Sequence, residues 1–97
     1  MSIIHEVAAK AAKDLHKYAS DYDCTLIKLK GLRACVEEVL REVDAVLSRY
    51  EQDNNCMVSG VVQFIILQGI KGRMGSSYVQ SCYSTAGQLA DLAGIEL

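Results

Sequence analysis

Apolar residues recur along the first half of the chain at steps of three and four. Ile4, Val7, Ala8, Ala11, Leu15, Tyr18 and Tyr22 fall on one helical face, with Lys10, Lys13 and Lys17 on the opposite side. This predicts a helix over 2–19, whose alanines allow a partner helix to come close. From Leu26 the stripe resumes through Leu29, Leu32, Val36, Val39, Leu40, Val43, Val46, Leu47 and Tyr50. With Leu29 at a heptad a position, Val36, Val43 and Tyr50 follow at a, while Leu32, Val39 and Val46 fill d. Leu40 and Leu47 widen that seam toward a bundle face. The spacing predicts a second helix over 25–51. Its outer face carries Arg33–Glu37 and Glu37–Arg41, each worth about 0.3 kcal/mol at i,i+4.

The junction between these helices is less decided. SDYDCT (20–25) offers Ser20, Asp23 or Thr25 as N-caps, yet no Gly or Pro forces a break. One continuous helix over 3–51 therefore stays open. So does a short strand over 25–30, where Ile27 and Leu29 alternate with Lys28 and Lys30 before Gly31. QDNN (52–55) is a stop signal.

NNCMVSGVVQFIILQGI (54–70) follows, without a charge. At about 1.5 Å per residue its seventeen positions reach about 25 Å as a helix, short of a ~30 Å hydrocarbon core. Gln63, Gln68, Ser59 and Gly60 also argue against a membrane span. Val58, Val61, Val62, Ile65 and Ile66 follow helical spacing, which predicts a helix over 56–69. Apolar residues cover so much of its circumference that it needs partners on several sides. Their β-branching also suits a buried strand over 57–67. Residues 75–93 return to helical spacing, with Val79, Cys82, Tyr83, Ala86, Leu89, Ala90 and Ala93 on one side. Ser76 or Ser77 supplies an N-cap and Gly94 a stop, giving a helix over 76–93.

The expected architecture is all-α. One domain over 1–97 holds four helices as antiparallel hairpins, a small four-helix bundle completed by oligomerisation. The alternative is α/β, with strands near 25–30 and 57–67. The complete absence of proline suits the helical version.

Charge sharpens the case for assembly. Of 10 basic and 12 acidic side chains, only Lys71, Arg73, Asp91 and Glu96 lie beyond residue 53. The C-terminal part cannot all be ordinary solvated surface. An interface is expected through Val58, Val61, Val62, Ile65, Ile66, Val79 and Tyr83. Net charge is −2, so no nucleic-acid partner is expected. The N-terminal stretch is interrupted by His5, Glu6, Lys10, Lys13 and Asp14, unlike a signal peptide. A cytoplasmic location and no membrane partner are expected.

Candidate chemistry is sparse. Cys24, Cys35, Cys56 and Cys82 lack paired spacing, so buried free thiols are expected rather than zinc ligands or disulfides. His5 and His16 stand about 16 Å apart along one side of a helix, too far to share a metal. No Ser–His–acid, Cys–His or paired-carboxylate pattern stands out, so neither an enzyme nor a cofactor is expected. GIKGRMGSS (69–77) is the one loop with a ligand-binding character. Lys71, Arg73, Ser76 and Ser77, near a helix N-terminus, offer a candidate anion site for a phosphate or carboxylate. The leading expectation is a protein–protein interaction module: an adaptor, chaperone or regulator that forms homo-oligomers and binds a protein partner. The alternative is a small-ligand module using residues 69–77.

Overall fold

A computed structural model describes residues 3–56, 69–70 and 75–97, with the Ser76 side chain left aside. Among these residues the chain is all-α, without a strand. Helix α1 spans Ile3–Asp23, α2 spans Leu29–Asn54 and α3 spans Gly75–Ala93. Residues 69–70 are also helical. The long axis of the molecule, 42 Å, is close to the ~39 Å that the residues of α2 span at 1.5 Å each.

The first two helices are separate, which removes both the continuous helix over 3–51 and the strand over 25–30. The break comes from backbone bonds rather than from a side-chain cap. Leu26 N–H donates to the Asp21 carbonyl at 2.9 Å and Thr25 N–H to the Tyr22 carbonyl at 3.0 Å. That closure places Thr25 in the left-handed region, at φ 59°. Ser20 and Asp23 belong to α1, and α2 starts after Lys28 with no side-chain cap bond. Leu26 is 73% exposed in the turn, outside the core it was expected to join. At the far end of α2, Asn55 adopts φ 49° and its N–H reaches the Glu51 carbonyl. Asparagine tolerates this conformation. Gly94, at φ 71°, closes α3 as Ile95 N–H bonds to the Ala90 carbonyl at 3.0 Å.

Helix α1 lies between the other two and packs most closely on α3. Lys10 pairs with Glu42, and residues 3–14 of α1 face residues 39–46 of α2, so these two helices form an antiparallel hairpin. The core joins Leu15 of α1, Leu32 and Leu47 of α2 and Leu89 of α3, all fully buried. Each such leucine contributes about 1.5–3 kcal/mol by leaving water. The buried stripe of α2 runs Leu32, Val36, Val39, Val43, Leu47. A straight helix drifts by about 20° per heptad from a strict seven-residue repeat. By the third heptad the core position has passed from Val46 to Leu47, leaving Val46 46% exposed.

The expected helix over 76–93 matches α3. The expected helix over 56–69 and its alternative strand over 57–67 lie outside the described residues, apart from the helix's two end positions. No described helix is long and apolar enough to cross a membrane.

Candidate functional site

The displaced valine opens a groove. On one side of the α1–α2 hairpin, Ile3, Val7 and Ala11 face Val39, Val43 and Val46 across a cleft of about 480 Å³. Both rows follow from helical spacing: 3, 7, 11 on α1 and 39, 43, 46 on α2. The floor is apolar, and Ala45 extends it along the α2 edge.

Charged residues stand along the rim. Glu6, Lys10 and Asp14 are spaced four apart on α1, and Glu42 stands on α2. The Lys10 ammonium donates to Glu42 at 2.7 Å and to Asp14 at 2.9 Å, closing a bridge over the groove. Those two bonds, Glu42 first, hold the Lys10 pKa above its ordinary value. The pairs are largely exposed to solvent, so they fix side-chain positions more than they stabilise the fold. Glu6 makes no ion pair among the described residues.

A second polar group joins α1 to α3. The Tyr83 hydroxyl donates to Asp23 Oδ2 at 2.6 Å, and the His16 ring meets the Tyr83 ring edge-on at a centroid distance of 5.4 Å. The bond to Asp23, with burial second, pushes the phenol pKa up to about 12. A nucleophilic phenolate needs the opposite shift. The same holds for Cys82, whose thiol is pushed up to about 11 by burial. Neither shift favours a nucleophile at neutral pH. Arg33 of α2 lies over the Tyr78 ring at 5.0 Å, tying α2 to α3.

Lys71, Arg73, Val58, Val61, Val62, Ile65 and Ile66 lie outside the described residues. Ser76 and Ser77 sit in the first turn of α3, and Ser77 gives its carbonyl to the Ser81 hydroxyl at 2.7 Å. Val79 is buried in the chain's own core. Tyr83 is half-buried against α1. Cys82 is buried, Cys35 half-buried, and Cys24 and Cys56 are exposed; all four are free thiols. The expectation of buried thiols therefore holds for Cys82 and fails at Cys24 and Cys56, which follow the ends of α1 and α2. Among the described residues no group of three or more His, Cys, Asp or Glu gathers as a metal site. Arg41 pairs with Glu38 at i,i+3 rather than with Glu37.

Sequence reasoning missed the groove. Its signal was present in Val46 and Lys10, but only the hairpin register brings them to one edge. No protein-family model, curated protein or solved structure matches the chain.

Proposed function

We propose that the chain is a helical protein–protein interaction module, an adaptor, chaperone or regulator that also self-associates. The observation that carries this reading is the α1–α2 groove, where Ile3, Ala45 and Val46 stay accessible to water between charged edges, over a floor of buried Val7, Ala11, Val39 and Val43. Helix pairs recognise partners in this way, by receiving apolar side chains along a cleft. Val46, 46% exposed within that cleft, is the kind of residue a partner covers. Self-association draws its support from the C-terminal sequence, which has few charges to keep it solvated.

Sedimentation velocity over a micromolar concentration series tests the self-association. A rise in weight-average mass with concentration is expected. A single monomeric species throughout removes that part of the reading. Affinity capture comparing the parent chain with Val46→Arg tests the groove, with partners retained only by the parent as the expected result.

A further inference from the structure

We propose that the α1–α2 groove receives a basic amphipathic helix from a partner protein. This inference rests on the interaction-module reading and commits it to one kind of occupant.

The dimensions suit a helix. The α1 wall runs from Ile3 to Asp14, a rise of about 16 Å or three turns at 1.5 Å per residue. A docking helix presents apolar anchors at i, i+3 or i+4, and i+7, which occupy about 10 Å of that length. The cleft, about 480 Å³, falls within the ~300–1,000 Å³ of sites that bury small apolar groups.

The charges select among occupants. Glu6 and Asp14 mark the α1 edge and Glu42 the α2 edge, so both walls are acidic. The one cation among the lining residues, Lys10, is engaged by Asp14 and Glu42, and because the bond to Glu42 crosses the cleft an incoming helix displaces it and frees both carboxylates for its own cations. The rim therefore carries net negative charge. Lysines or arginines beside the apolar stripe of an incoming helix meet it favourably, while an acidic helix meets repulsion. Two copies placed groove to groove bring two net-negative rims together. An anionic membrane surface is disfavoured for the same reason. A basic helix is the occupant that satisfies floor and rim together.

Fluorescence anisotropy on the full chain tests this with labelled peptides of about four helical turns. One carries leucines at helical spacing flanked by lysines, a second replaces each lysine by glutamate, and a third scrambles the first. The lysine peptide is expected to bind, the other two are not, and its affinity should fall with added salt. Val46→Arg should weaken binding about tenfold or more, corresponding to about 1.4 kcal/mol. Val46 is part-exposed, so the fold should survive, and circular dichroism checks this. Glu6→Gln with Glu42→Gln should weaken binding less and flatten its salt dependence. Failure of the lysine peptide to bind overturns the proposal. So does equal binding of the glutamate or scrambled peptide, or binding that ignores Val46→Arg. A concentration-dependent dimer dissolved by Val46→Arg makes a second copy the occupant, which sinks the basic helix but keeps the interaction module. A monomer that binds no peptide removes both.

Discussion

The two sides of α1 meet their neighbours in different ways. Ala8, Ala12 and Ala19 share a helical face with His16 and Asp23, both of which touch Tyr83 of α3. All three alanines are fully buried, opposite a helix whose Cys82, Ala86 and Leu89 are fully buried too. The neighbouring face, with Ile3, Val7 and Ala11, meets the valines of α2 and leaves a groove. The less hydrophobic residue makes the drier contact. Closure depends on how near the helices come, and a methyl side chain permits an approach that a branched one resists.

Bulk added to each side should expose this contrast most strongly. Ala12→Leu forces extra methyl groups into a filled contact and is expected to cost about 1–3 kcal/mol. For a chain of this size each kcal/mol lowers Tm by about 4–8 °C. Ala45→Leu adds the same bulk at an exposed position on the groove and should stay within about 0.5 kcal/mol of the parent. Thermal melts followed by circular dichroism measure both. Similar losses at the two positions would mean that the groove is as tightly packed as the alanine face.

Much of this was legible in the residue pattern, and its gaps have physical causes. The periodicities of α1, α2 and α3 give their existence and core faces because burial imposes a 3.6-residue repeat. Ala12 and Ala19 are easy to pass over, since alanine is nearly neutral in hydropathy and signals only in a contact whose partner is known. The break after Asp23 is hidden because Thr25, a β-branched residue, occupies a left-handed position usually marked by glycine. Reading Val46 as core rather than edge required the register between α1 and α2. That register also unites Lys10 with Glu42, 32 residues away. The floor of the groove was thus written in the sequence, but its openness was not.

A smaller effect comes from a buried polar group on α3. Thr85 is fully buried, and its hydroxyl has no hydrogen-bond partner among the described residues. Gly69 lies against it so closely that a Cβ there would overlap Thr85 Oγ1. A buried hydroxyl without a partner costs about 1–3 kcal/mol in lost hydration. Thr85→Val keeps the shape and removes that group, so Tm should rise by several degrees, at about 1 kcal/mol. Gly69→Ala should lower Tm, because its Cβ would overlap the buried Thr85 side chain. A lower Tm for Thr85→Val would indicate that the hydroxyl is satisfied after all.

The smallest expected effects separate the polar ties on the two sides. Tyr83→Phe removes the bond to Asp23 beside the alanine face and should cost about 0.5–1.5 kcal/mol at neutral pH. Lys10→Gln removes the bridge over the groove and should cost less than about 1 kcal/mol, shrinking further in high salt. The pH dependence of the Tyr83 tie has a definite sign. In the folded chain its phenol pKa is raised to about 12, against about 10 in an unfolded chain. The folded state therefore keeps a proton that the unfolded state releases. This contribution is complete below about pH 10 and is lost as pH rises through about 12. Burial raises Tyr78 and Cys82 as well, but both are present in parent and variant and cancel in the difference. Denaturant titrations of parent and Tyr83→Phe should accordingly converge between about pH 10 and 12. Equal stability of parent and Tyr83→Phe at neutral pH would show that the ring's packing against His16, which phenylalanine keeps, rather than the bond to Asp23, ties α3 to α1.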